Sequence, residues 1–199
     1  MLRIYGTHTS PYVRRVRIVA LELGLDHELI DTMTDQGLAA LRAVTPIWKV
    51  PVVELDGAVV LDSAVINEAL LRLHGPGPLA VHDPTDLALR NVMTVIDGAL
   101  DSLINCLYLA RDGVAPEQAA YLRKHQDRAA SALAWLDARI DDGWLTPGKR
   151  FGLAEIGLCT ALGWMRFRNS YPIERHPELL RCFDRHAERP SLAATQPPG

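Results

Sequence analysis

Residues 45–66 read TPIWKVPVVELDGAVVLDSAVI, and this stretch decides the fold. Val52 to Leu55 and Val59 to Leu61 are short β-branched and aliphatic runs, and between them Asp56-Gly57 supplies the positive φ angles of a tight hairpin turn. Pro51 opens the first run directly after Val50. A proline there is a candidate for a cis peptide bond, which would turn the backbone N–H and C=O of Val50 outward; a trans proline beginning an edge strand is the alternative. After the second run, Ser63 has N-cap chemistry and opens a helical pattern to about Leu73, with Asp62 one position before it.

Working outward toward the N-terminus, Leu2 to Tyr5 and His27 to Asp31 read as strands flanking a helix from Pro11 to about Leu23, and a weaker helix covers Gln36 to Val44. The order is βαβ, a helix, then ββα, which predicts an α/β domain with one four-stranded sheet. Toward the C-terminus the Gly/Pro-rich stretch HGPGPLAVHDPTD, residues 74–86, marks a break, and beyond it β signals vanish. Apolar residues three and four apart predict helices at about 84–112, 116–142, 153–168 and 177–188. The domain expectation is 1–76 for the α/β unit, 77–84 for the linker and 85–199 for an all-α bundle. The tail SLAATQPPG carries little pattern and is expected to be frayed or draped over the surface.

Composition narrows the function classes. With 199 residues, 48% of them hydrophobic, the chain can bury a substantial core. Its net charge of −3, with acids and bases mixed, offers no polybasic face for nucleic acid or an anionic membrane. The three cysteines, Cys106, Cys159 and Cys182, lie outside any metal-ligand spacing, so neither a zinc site nor a disulfide framework is expected. A reducing cytoplasm fits this usage, and no signal peptide or run of roughly 18 apolar residues for a membrane span is read.

Three positions carry chemistry. In Thr9-Ser10-Pro11, Ser10 is an N-cap and Pro11 suits the first helical position, so a helix N-terminus and its free N–H groups face whatever anion lies nearby, a thiolate included. Val50 before Pro51 could recognise an extended peptide through its backbone. Ser63 at a second helix start could hold a carboxylate while Asp62 holds an ammonium group. Taken singly, each also reads as an ordinary cap or strand opening.

Together, a serine at the first helix, Val-Pro about forty residues later and an acid–serine pair eleven residues beyond that resemble the N-terminal half of the glutathione transferase superfamily. TSPYVRRVRIVALELGL looks like the opening of a cytosolic, serine-type member of bacterial kind, and KVPVVELDGAVVLDSAVI looks like the glutathione-binding segment, so the resemblance implies that the α/β domain is thioredoxin-like and carries the glutathione site. The resemblance implies that Ser10 donates to the glutathione sulfur and favours its thiolate; a free thiol of pKa about 8.5 is otherwise mostly protonated at neutral pH. It also assigns the Val50 backbone before Pro51 to the cysteinyl residue, Asp62 and Ser63 to the γ-glutamyl end, and Lys49 to the glycyl carboxylate. His8 and Tyr5 stand close to Ser10 in sequence, with a surface loop and sheet packing as their plainer readings. Relatives often carry Gly where Trp48 stands and Glu or Gln where Asp62 stands, which predicts weakened glutathione binding. They also open the core helix with a Ser or Thr capping box, where this chain has Gly152 and Glu155.

The resemblance further implies an apolar electrophile as second substrate, in a pocket between the domains lined by residues such as Leu107, Tyr108, Arg111, Trp164 and Phe167. It implies glutathione as co-substrate with no metal, and a homodimer meeting along the first long helix, where Asp97 or Asp101 could reach the partner. Maleylacetoacetate-type isomerases share the serine and the RVRI run, but typically show Ser-Cys where this chain has Pro11-Tyr12. A reading of another class is a non-enzymatic interaction module in which Ser10 and Ser63 are only helix caps.

Overall fold

The computed structural model of the chain describes residues 1–81 and 83–198; His82, within the expected linker, and Gly199 lie outside them. The chain divides into two compact units, Met1–Val81 with Ala187–Gly199, and His82–His186.

In the first unit the elements are β1 (Leu2–Gly6), α1 (Pro11–Glu22), β2 (His27–Asp31), α2 (Asp35–Val44), β3 (Val52–Leu55), β4 (Ala58–Leu61) and α3 (Ser63–His74). The sheet order is β2-β1-β3-β4. β1 runs parallel to β2, as a helical crossover through α1 permits, and β3 is antiparallel to both β1 and β4, the latter across the expected Asp56-Gly57 turn. Ile4, Val52 and Val53 of the sheet and Val13, Val16, Ile66 and Leu70 of the helices are fully buried. Near one end of the sheet Tyr5 packs with Leu41 and Val52, and its hydroxyl donates to Glu54 at 2.8 Å while Arg3 pairs with the same carboxylate at 2.7 Å. These two donors hold the Glu54 carboxyl below its ordinary range.

α1 begins as its sequence demands. Ser10 Oγ accepts the Val13 N–H at 3.3 Å and Pro11 takes the first helical position. Gly37, in the first turn of α2, is required by close approach: a Cβ there would stand 2.0 Å from the carbonyl oxygen of Asp31.

The tail differs from its expectation. Pro190–Ala193 form a short helix, α8, packed on α1 within the first unit. Arg189 reaches the Glu22 carboxylate through Nε and Nη2, both at 2.6 Å, and Ser191 Oγ donates to the same carboxylate. About two turns earlier on α1, Arg14 donates to Thr195 Oγ1 at 3.3 Å and to the Leu192 carbonyl at 3.0 Å. These contacts explain why α1 buries Arg14 as well as its apolar face.

The second unit is helical, with α4 (Leu87–Arg111), α5 (Ala120–Asp137), α6 (Leu153–Arg168) and α7 (Pro177–His186). The expected start of α5 at residue 116 is a separate 3₁₀ turn, Pro116–Gln118, because the chain is extended at Ala119 before the helix begins. α6 has the expected bounds and is the buried centre of the unit. Gly152 is its N-cap, and the buried Glu155 carboxylate accepts from the Gly152 N–H at 3.1 Å and from the Thr146 N–H and hydroxyl at 2.9 and 2.7 Å. Burial pushes the Glu155 carboxyl up against the opposing pull of these bonds. By length and mean hydropathy alone, an 18-residue window of α4 matches a membrane span. Its Leu, Ile, Val, Met, Cys and Ala residues raise the average, Asp97, Gly98, Asp101, Ser102 and Asn105 interrupt the apolar run, and the helix packs along α5 and α6.

Candidate functional site

The sheet register places the three sequence motifs at one end of the first unit. Tyr5 of β1 stands opposite Val52 of β3, and Val52 stands opposite Leu61 of β4. This row is the last rung of the β1–β3 ladder, the last of β4 and the first of β3, with neighbouring strands about 4.8 Å apart. Ser10 follows β1 by one short loop, Val50 and Pro51 immediately precede β3, and Asp62 and Ser63 immediately follow β4. Segments separated by up to 53 positions in the chain are thereby gathered by hydrogen-bonded strands rather than by loops.

Each motif has a defined local geometry. Ser10 is half-buried, and accepting the Val13 N–H uses an oxygen lone pair, which leaves the hydroxyl proton for an acceptor beyond the helix. The Val50–Pro51 bond is cis, Pro51 is buried, and Val50 lies outside the strand ladder. At the third motif the expected cap shifts by one residue. Asp62, not Ser63, caps α3: its Oδ1 accepts the Ala64 N–H at 2.8 Å, and Ser63 is the first helical residue, buried at 4% exposure. Asp62 holds φ at 74°, in the left-handed region, so the chain turns sharply there and the exposed carboxylate keeps its second oxygen.

Lys49 is exposed on the loop before Val50. Next to it Trp48 adopts φ 52° and is 59% exposed, with the Arg42 guanidinium 5.1 Å above its ring. That conformation favours glycine, and keeping a bulky residue there costs about 1–2 kcal/mol, offset in part by the cation–π contact of about 0.5–1 kcal/mol. Tyr5 is committed to sheet packing and to Glu54, and His8 is an exposed turn residue.

Of the residues expected to meet the electrophile, all lie in the second unit. Trp164 is buried in α6, whereas Tyr108, Arg111 and Phe167 stand exposed at the C-terminal ends of α4 and α6. Sequence reasoning passed over Arg168, whose guanidinium lies 4.5 Å over the Phe167 ring. The signal was present in the run Arg166-Phe167-Arg168, a basic helix end around an aromatic residue.

The glutathione S-transferase N-terminal domain model matches residues 4–78, and the C-terminal domain model matches residues 117–194. A glutathione S-transferase from Methylobacterium radiotolerans, solved in complex with glutathione sulfonate, is 30% identical over 100% of this chain and 95% of its own, with a TM-score of 0.84. The chain belongs to the glutathione S-transferase superfamily. A glutathione S-transferase from Methylobacillus flagellatus with bound glutathione is 25% identical over 100% of both chains, with a TM-score of 0.83. An uncharacterized GST-like protein of Escherichia coli is 29% identical over 99% of both chains. The α/β unit with a four-stranded sheet and the helical second unit are the glutathione transferase architecture.

Proposed function

We propose that this chain is a glutathione transferase of the serine type. Glutathione is its co-substrate: the Val50 backbone ahead of Pro51 pairs with the cysteinyl residue, Ser63 and Asp62 hold the γ-glutamyl carboxylate and ammonium, and Lys49 faces the glycyl carboxylate. The Ser10 hydroxyl donates a hydrogen bond to the sulfur, and the N-terminus of α1 adds its positive end, so the thiol loses its proton to solvent at neutral pH. The thiolate then attacks an electrophile with an apolar body, received by Tyr108, Arg111, Trp164 and Phe167; holding the two together supplies much of the rate. The reading rests above all on one observation, the placement of Ser10 as N-cap of α1 at the sheet end that also carries Pro51 and Ser63.

Titrating glutathione by calorimetry and assaying conjugation of 1-chloro-2,4-dinitrobenzene tests it. Ser10→Ala keeps glutathione binding and loses roughly 10²–10³ in turnover, the usual loss on removing one preorganised donor to a developing anion. Absence of binding at millimolar glutathione refutes the transferase and favours the interaction module. We further propose a cytoplasmic homodimer assembled through α4 near Asp97 and Asp101; light scattering that returns 22.0 kDa, the mass of one chain, refutes the dimer.

A further inference from the structure

The C-terminal ends of α4 and α6 carry a cationic cluster that the fold leaves unneutralised. Arg111 is the last residue of α4 and Arg168 the last of α6. Their charges act on each other: burial first, then the like charge of Arg111, lowers the Arg168 guanidinium below its ordinary value, while Tyr108 pulls the other way. A helix C-terminus attracts cations, which accounts for an arginine at each end. It does not account for the rest. Among the described residues neither arginine pairs with a carboxylate, and Arg168 Nε is buried with no hydrogen-bond partner. Arg166, two residues earlier, shows the ordinary arrangement, stacked 4.7 Å over Phe183 and 3.9 Å from Asp184.

Aromatic rings complete the cluster. Arg168 lies 4.5 Å over Phe167 and Arg111 lies 5.8 Å over Tyr108, and the two rings are 37% and 59% exposed. A guanidinium over a ring uses its face; with Arg168 Nε buried, the terminal Nη groups of Arg168 and the N–H edge of the exposed Arg111 are the donors for a planar oxyanion. We infer that this cluster receives a carboxylate carried on a planar, conjugated body, with the arginines taking the charge and Tyr108 and Phe167 the flat apolar part. Resting on the transferase reading above, this narrows the second substrate to an aromatic or conjugated electrophile with an anionic end. With 4-chloro-3-nitrobenzoate, the sulfur of glutathione bonds to the ring carbon bearing chlorine, chloride leaves with the C–Cl electron pair, the thiol proton passes to solvent, and the carboxylate is unchanged.

The test separates the two readings. Calorimetry without glutathione compares 4-chloro-3-nitrobenzoate, its uncharged amide and inorganic phosphate on the wild type, Arg111→Gln and Arg168→Gln, with circular dichroism melts confirming that each variant folds; Arg111 is exposed and its variant is safe on that count. The benzoate binds at least tenfold more tightly than the amide or phosphate, and each variant loses on the order of tenfold for the benzoate, the usual worth of a hydrogen bond to a charged group. In the conjugation assay the benzoate-to-amide ratio of 1/KM collapses in both variants. Equal affinity for benzoate and amide, phosphate binding as tightly as benzoate, or benzoate binding indifferent to both substitutions overturns the proposal. Glutathione binding, titrated separately, reports on the transferase reading: benzoate selectivity without glutathione binding sustains the anion site and sinks the transferase, and glutathione binding without benzoate selectivity does the reverse.

Discussion

Replacing Glu22 with Gln removes one charge from the point where α8 is fastened to α1. The Glu22 side chain is 7% exposed and Arg189 is 29% exposed, and the carboxylate takes both Arg189 donors and the Ser191 hydroxyl. Gln keeps the volume and one acceptor, but it turns an N–H₂ group toward an Arg189 donor and removes the negative charge that Glu22 supplies to that guanidinium. Breaking a fully buried pair costs about 3–5 kcal/mol; water reaches part of Arg189 here, so the expected loss is about 2–3 kcal/mol. For a chain of this size that corresponds to a melting temperature lower by roughly 4–12 °C at pH 7. The gap must also depend on pH in one direction. Burial alone would raise the Glu22 carboxyl, but the Arg189 and Ser191 hydrogen bonds and the Arg189 charge outweigh it and hold the group below its ordinary 4.5. A depressed folded-state value means the stabilisation is complete above pH 4.5 and disappears as pH falls through the lower value. Thermal melts followed by circular dichroism at pH 7 and in steps toward pH 3 should show wild type and variant converging in acid. Identical melting temperatures at pH 7, or a gap that stays constant in acid, would refute the reasoning.

Asp62→Gly suits the backbone at φ 74° and costs only a few tenths of a kcal/mol as a cap, so its melt should match wild type while KM for glutathione rises; a fall in stability of more than about 1 kcal/mol would show the residue is structural. Gly37→Ala forces a Cβ against the Asp31 carbonyl and is expected to cost about 1–3 kcal/mol in urea unfolding, where an unchanged midpoint would contradict the packing described. His125 is buried with neither ring nitrogen hydrogen-bonded, and burial, then Arg128 and Lys124, lower its pKa from 6.5. Its folded-state value is depressed, so the fold loses stability as pH drops below 6.5. His125→Leu should gain about 1 kcal/mol and flatten the urea midpoint between pH 7 and 5; an equally steep profile in the variant would assign the acid sensitivity elsewhere.

Much of the fold was legible because its signals are local. The Asp56-Gly57 turn and the β-branched runs around it fixed the hairpin, and the cap pair Ser10-Pro11 fixed the start of α1. The candidate site was legible for the same reason, since its motifs sit at element ends where capping chemistry is visible. The choice between Asp62 and Ser63 was not, because both are good caps and only the φ of Asp62 decides which stands outside the helix. Nor was the docking of α8: Glu22 and Arg189 are 167 positions apart, and a single long-range pair leaves no periodic trace. Arg168 escaped because its significance lies in what it lacks, a carboxylate from a neighbouring helix, and that is a property of packing.

The return of residues 187–199 to the first unit makes assembly non-sequential in time. A ribosome delivers β1 through α3 first, yet the residues that close over α1 emerge only after the whole helical unit has been made. The half of the molecule born first is therefore finished last, and a premature stop codon after residue 186 would injure the beginning of the protein while sparing its middle.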